Sequence, residues 1–272
     1  MHMNKNGFCY DGGRVITCTA FSQTGIVHHG FSTRIGGVST GAFSSLNLGM
    51  HTQDDKDNVQ DNFRIFCRDI SVDVHNLVLS QQVHETELYQ ADRDDCGKGL
   101  YCESDLQGID GLITDKPGVA LATFYADCTP ILLLDPKRKV IASVHSGWRG
   151  TVGKFARKAA LYMQKAYGSK REDILAAIGP SIKQCHFEVG EEVYLDFAAA
   201  FGSRVERVTT FKDDKYYIDT DALNVQLLLE AGLSFENIHV CPLCSYCEEE
   251  LFFSHRRDSG STGRMCAVIE LL

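Results

Sequence analysis

Three strongly coordinating side chains stand where apolar runs give way to polar or glycine-rich ones. His84 closes "NLVLSQQVH", Cys128 closes "ALATFYADC" and His145 closes "KVIASVH". Two imidazoles and one thiolate form a three-ligand set that suits Zn²⁺ and leaves a fourth tetrahedral position for water, the pattern of a catalytic rather than a structural zinc. Their spacing matches no short zinc motif, so the fold would have to bring them together. The same atoms offer a chemistry without metal: Cys128 and His145 as the thiolate–imidazolium pair of a cysteine hydrolase or amidase. That reading needs an orienting third group and an oxyanion hole, and the sequence identifies neither. The bland alternative is two hydrogen-bonded histidines and a buried thiol.

Other segments have the composition of a site. "HSGWRGT" sets the only tryptophan, Trp148, and Arg149 between glycines, where packing alone asks for neither. "GFSTRIGGVSTG" puts Arg34 beside a double glycine, and "FFSHRRDSGSTGRM" carries Arg256, Arg257 and Arg264 around a Gly/Ser/Thr loop. Such loops can turn backbone N–H groups toward an anion. "CPLCSYC" (Cys241, Cys244, Cys247) has zinc-knuckle spacing but no matching second half close by in the sequence.

These residues need a rigid frame. "GVALATFYADC" (118–128), "PILLLD" (130–135) and "KVIASVHSG" (139–147) predict adjacent core strands, short, apolar and bounded by Gly, Pro and Asp. "TVGKFARKAALYMQKAYG" predicts one amphipathic helix ending at Gly168. Further strands are expected at 76–84 and 174–182 and in "NIHVCP", "ELFFSHRRD" and "GRMCAVIEL", with helices at 58–70, 191–202 and after Asp219. The mixture predicts an α+β fold with a mixed sheet. No phosphate-loop motif occurs, and no repeat or linker divides the chain, so one domain over residues 1–272 is expected.

Composition narrows the partners. The formal charge is −9 and basic residues are scattered, which disfavours nucleic acid. No apolar run reaches the roughly 20 residues that span a bilayer. "MHMNKNGFCYDGG" has no apolar export signal, so a cytoplasmic location is expected. Eleven cysteines in a reducing compartment should be thiols or ligands rather than a disulfide framework.

Six segments, "HGFSTRIGGVSTGAFSSLNLG", "SQQVHETELY", "ADCTPILLLD", "HSGWRGT", "AIGPSIKQCHFEVGEEV" and "FFSHRRDSGSTGRM", together resemble the YfiH-type family, also called laccase-domain or polyphenol oxidase-like proteins. The resemblance implies a layered α/β/β/α fold grouped with the cytotoxic-necrotizing-factor-like cysteine hydrolases. It implies zinc held by His84, Cys128 and His145. It further implies phosphorolysis of adenosine, inosine, guanosine or methylthioadenosine to base and ribose-1-phosphate, and deamination of adenosine to inosine. A zinc of this kind lowers the pKa of its water, as deamination at C6 requires. Asp127 and Glu85 are the nearest carboxylates in sequence to shuttle the proton, although strand alternation would point each away from its neighbour.

Phosphorolysis asks for cations around phosphate, and arginine binds it bidentately. Arg34, Arg149 and Arg264 are the expected contacts, with Asn47 of the N-terminal motif beside them. Trp148 is either a stacking surface for the purine or a core anchor. Purine nucleosides and phosphate are then the partners, for a monomer or a dimer. The chain departs from the family pattern in its cysteine triplet and in His255, which stands where tyrosine is usual. The family's name also suggests a copper phenol oxidase, and a His₂Cys set can take adventitious copper. Ten histidines without one H-x-H pair count against several coppers.

Overall fold

A computed structural model describes residues 3–5, 7–10 and 12–272, so part of the N-terminal stretch read for export signals lies outside the described residues. In chain order the early strands are β1 (Met3–Lys5), β2 (Phe8–Tyr10), β3 (Val15–Cys18) and β4 (Val27–Ser32), with helix α1 (Thr19–Thr24) before β4. Helix α2 (Lys56–Asp69) leads to β5 (Leu77–Leu79), β6 (Leu88–Gln90), β7 (Gly111–Thr114), β8 (Ala120–Tyr125), β9 (Thr129–Asp135) and β10 (Val140–Ser146). Then come α3 (Trp148–Val152), α4 (Phe155–Tyr167), β11 (Leu175–Ile178), β12 (Glu188–Val189) and α5 (Glu191–Phe201). The chain closes with β13 (Thr209–Lys212), β14 (Lys215–Ile218), α6 (Thr220–Glu230), β15 (Ile238–Val240) and β16 (Met265–Leu271).

Two large mixed sheets, β1-β2-β3-β4-β16-β8-β5 and β15-β11-β9-β10-β7-β6, carry the fold, and β12-β14-β13 form a small third sheet. Strand alternation shows how they layer. Leu121 and Tyr125 of β8 and Ala267 and Ile269 of β16 share one core with Leu132 and Leu134 of β9 and Ile141 of β10, so the sheets pack face to face. The alternate residues face helices. Ala120, Ala122 and Val268 pack with Val59, Phe63 and Phe66 of α2. Ile131, Leu133, Ala142 and Val144 pack with Phe155, Ala159, Leu223 and Leu227 of α4 and α6. The order is therefore helix, sheet, sheet, helix. Central strands buried on both faces read as continuous apolar runs, which is why the sequence announced them. Among the described residues no helix is long and apolar enough to cross a membrane.

Four expectations need correction. The strand expected at 76–84 stops at Leu79, because the Gln82 side chain takes over the ladder: its Nε2 donates to Phe124 O (3.0 Å) and its Oε1 accepts from Phe124 N (2.7 Å). The single helix after Gly150 is two, α3 and α4, broken at Lys154 with φ 61°. Just before the break, a Cβ on Gly153 would come within 2.6 Å of Thr86 Cγ2. "ELFFSHRRD" is not a strand. Phe252 and Phe253 are buried, but Arg257 holds the segment in turns by donating to the carbonyls of Ser245, Tyr246 and Phe252. The segment 174–182 is also shorter as a strand, ending at Ile178 before Gly179, where a Cβ would meet the Phe31 ring at 2.3 Å.

Candidate active site

The chain passes from one large sheet to the other between β8 and β9, and Cys128 lies in that crossing. Strands β9 and β10 are antiparallel, with Ser146 opposite Thr129 and His145 opposite Pro130. Continuing this register sets Cys128 against Gly147, just past the two strand ends. His145 is still within β10, whereas His84 sits on the loop between β5 and β6 with a left-handed φ of 65°. The ligand atoms of His84, Cys128 and His145 lie within 4.8 Å of one another, and the two imidazole rings meet edge-on at 4.8 Å.

Asp110, which sequence reasoning missed, brings the loop to the strand. Its carboxylate is fully buried. Oδ1 accepts from the His84 amide (2.9 Å), and Oδ2 accepts from the amides of Val83 (3.1 Å) and Glu85 (2.8 Å). Three successive N–H groups thus wrap one carboxylate, which accounts for the unusual φ of His84. Oδ1 also lies 2.9 Å from His145 Nδ1, and Asp110 O accepts from His145 N at 2.8 Å. With Nδ1 donating to Asp110, the His145 Nε2 lone pair is free to face Cys128.

The site tunes its own groups. Burial acts to raise the Cys128 thiol, but positive His145 and hydrogen bonds from His145 and His84 outweigh it and lower its pKa to about 6. Burial acts to lower His145, but the Cys128 thiolate and Asp110 raise it to about 9. Asp110, opposed by burial, is lowered by His145 and the amides it accepts from. The trio has room for an ion. A Cβ on Gly147 would fall 3.1 Å from Cys128 Sγ and 3.3 Å from His84 Cδ2, so only glycine leaves the space between the ligands open. Gly147 has φ −65°, so the requirement is for space, not for backbone freedom.

The trio lies on the wall of a cavity of about 510 Å³, a size suited to small ligands. Of the expected substrate contacts, Arg149 and Arg264 line it and Arg34 and Asn47 do not. The Arg34 guanidinium lies over the Phe253 ring at 4.5 Å and donates to Ser44 O (2.8 and 2.9 Å) and Glu249 O (3.2 Å). Asn47 is buried. Its Nδ2 donates to Thr52 and Asp54, and its Oδ1 accepts from Gly49 N and Arg264 N, so it positions cavity residues from behind.

Trp148 packs on Phe197 and carries the Arg149 guanidinium over its ring at 4.2 Å. Its indole therefore braces Arg149 at the cavity wall. Of the two carboxylates, Asp127 lines the cavity and Glu85 does not. Asp127 accepts from Ser245 Oγ (2.7 Å) and Arg256 N (2.7 Å). Ser80 and His51 line it too. The Ser80 hydroxyl is buried without a hydrogen-bond partner, and no signal in the sequence marked it.

Residues 28–272 match the family model described as multi-copper polyphenol oxidoreductase laccase. The chain is 36% identical over 244 residues to "Purine nucleoside phosphorylase YlmD" of Geobacillus stearothermophilus, covering 88% of each chain. It is 37% identical over 239 residues to "Adenosine deaminase RL5" from an unknown prokaryotic organism, covering 86% of this chain and 90% of that one. The crystal structure of the Bacillus licheniformis hypothetical protein YfiH superposes with a TM-score of 0.93 at 34% identity, covering 98% of this chain and 100% of that one.

Proposed function

The chain belongs to the multi-copper polyphenol oxidoreductase laccase family, and from that premise we propose that it is a zinc-dependent purine nucleoside enzyme that works as one domain over residues 1–272. It cleaves nucleosides such as adenosine, inosine, guanosine or methylthioadenosine with phosphate and deaminates adenosine to inosine. The observation that carries the reading is the convergence of His84, Cys128 and His145 around the space left by Gly147, at the wall of a cavity large enough for a nucleoside. Relatives bearing both activities in their names support the substrate class.

His84, Cys128 and His145 would hold the zinc, which as a Lewis acid supplies an activated water or polarises a substrate atom. Asp110 fixes the tautomer of His145 and the position of His84. Asp127, at the cavity wall, is the group that handles the proton in deamination. Arg149, held on Trp148, and Arg264, whose amide donates to Asn47 and whose Nη1 donates to the carbonyls of Thr262 and Gly263, supply the positive charge for phosphate. Arg34 and Asn47 contribute through the scaffold rather than by contact.

Among the described residues, the only two groups suited to a metal contain three histidines between them. That donor set does not resemble a multicopper oxidase, so zinc is the assigned ion and copper an occasional occupant. The test is incubation of metal-quantified protein with adenosine, with and without phosphate, followed by chromatography of inosine, adenine and ribose-1-phosphate. Product formation that depends on zinc and is lost in His84→Ala supports the reading. Zinc-loaded protein that turns over none of the four nucleosides refutes it.

One observation favours a second reading. Asp110, His145 and Cys128 form a hydrogen-bonded series with a depressed thiol pKa, the arrangement of a cysteine hydrolase. That chemistry uses His84 only as a hydrogen-bond partner of the thiolate, not as a metal ligand. Amidase activity that survives chelation and His84→Ala but not Cys128→Ser would select it.

A further inference from the structure

Away from the cavity trio, the fold completes the half-motif seen in "CPLCSYC". Cys185 and His186, on the connection between β11 and β12, meet Cys244 and Cys247, on the segment after β15, with all four ligand atoms within 4.8 Å of one another. We propose that these residues form a closed Cys₃His site that binds a structural zinc ion and staples the two segments together.

The geometry favours a tetrahedral metal over a thiol cluster or a disulfide. Cys185 Sγ is 3.8 Å from Cys244 Sγ and 3.7 Å from Cys247 Sγ. Zinc–sulfur bonds of about 2.3 Å at tetrahedral angles set sulfurs about 3.8 Å apart. A disulfide needs about 2.05 Å. His186 Nδ1 lies 3.2 Å from Cys185 Sγ and 3.3 Å from Cys247 Sγ, a few tenths of an ångström inside the roughly 3.6 Å edge of a tetrahedral site.

The surroundings orient the ligands as an outer shell does. The His186 ring stacks on Tyr246 at 3.9 Å with 13° between planes, which directs Nδ1 at the sulfurs. The Lys183 amide donates to Cys244 Sγ at 3.4 Å, a bond that supports a thiolate. Cys241, the remaining cysteine of the triplet, is buried in the inter-sheet core and takes no part. Four protein ligands leave no open position, so the role is structural, unlike that of the cavity trio.

The staple would act on the cavity at one remove. Ile182 and Phe187 flank Cys185 and His186 and line the cavity. Ser245, between the two knuckle cysteines, donates to Ser181 O through its amide and to Asp127 through its hydroxyl. Arg256 donates to His186 O (3.4 Å) and Glu188 O (2.9 Å). A metal here fixes one wall of the site already described, and the inference holds whatever reaction occurs there.

The test uses the full chain, purified without chelator and assayed for zinc by elemental analysis. The wild type should hold about two zinc ions per chain and Cys128→Ser about one. Adding Cys247→Ser to the Cys128→Ser chain should remove that remaining ion. Should the double variant fail to fold, cobalt substitution of Cys128→Ser decides, because thiolate-bound tetrahedral cobalt has an intense visible spectrum. A Cys128→Ser chain that binds neither zinc nor cobalt, or an intact mass two hydrogens lighter through a disulfide at these cysteines, overturns the proposal.

Discussion

Asp110→Asn isolates the role of a residue that touches neither substrate nor metal. The carboxylate accepts at Oδ1 from His84 N and His145 Nδ1, and at Oδ2 from Val83 N and Glu85 N. A carboxamide replaces one oxygen by an NH₂ donor. In either orientation two of these four donors then face a donor, and one orientation forces His145 to place its proton on Nε2, the nitrogen needed as a ligand. Each buried donor left unsatisfied costs about 1–3 kcal/mol, so the fold should lose about 2–6 kcal/mol. Loss of an orienting partner typically lowers metal affinity about 10–100-fold. Zinc affinity measured by competition with a chromogenic chelator should fall in that range, and thermal unfolding should move to lower temperature. Glu85→Ala is the control: that side chain is exposed and only its backbone amide is engaged, so both readouts should stay near wild type. A folded Asp110→Asn protein with wild-type zinc affinity would refute the claim that this carboxylate organises the trio.

Gly147→Ala should leave stability within about 1 kcal/mol, since its φ suits alanine, yet weaken zinc binding at least about tenfold, because the new methyl lies 3.1 Å from Cys128 Sγ; unchanged affinity on calorimetric titration would contradict the space argument. In metal-stripped protein the depressed Cys128 contributes stability that is lost as pH falls through about 6, and the raised His145 contributes stability that is lost as pH rises through about 9. The ion pair is therefore present between those values, and alkylation of Cys128 should switch on near pH 6, some units below an ordinary thiol; a midpoint near 8.5 would show that no such pair forms. Arg149→Ala should raise the phosphate KM about tenfold, equivalent to about 1.4 kcal/mol, while adenosine deamination changes little; equal losses in both reactions would remove phosphate binding from Arg149.

Much of the frame was legible because it is chemically monotonous. Strands β8, β9, β10 and β16 are buried on both faces, so their sequences are near-continuous apolar runs, interrupted by Thr123, Ser143 and Glu270, and β8 and β10 lead into residues of the site. His145 and Cys128 could be located because strand ends are where a rigid frame offers side chains to a cavity. His84 was chosen from the same pattern although its strand stops five residues earlier, and there the side chain of Gln82 imitates the backbone ladder. Periodicity cannot register a ladder continued by a side chain.

What the sequence concealed are residues defined by partners far along the chain. Asp110 in "GIDGLIT" reads as a turn aspartate before a strand, and only folding shows it receiving three amides from 83–85 and the imidazole of His145. Arg34 misled in the opposite sense. A glycine-flanked arginine has the composition of an anion site, but its guanidinium already donates to two carbonyl groups, lies on a phenyl face and is not on the cavity wall. Arg149 has an equally glycine-rich setting, yet it is exposed and its described contact is the Trp148 ring, which orients the charge without neutralising it. The difference between the two arginines is thus the number of acceptors that the fold supplies. That also explains why the chain's only tryptophan lies three residues after His145: Trp148 holds the Arg149 cation at the cavity wall while leaving the hydrogen-bond donors of Arg149 for a ligand.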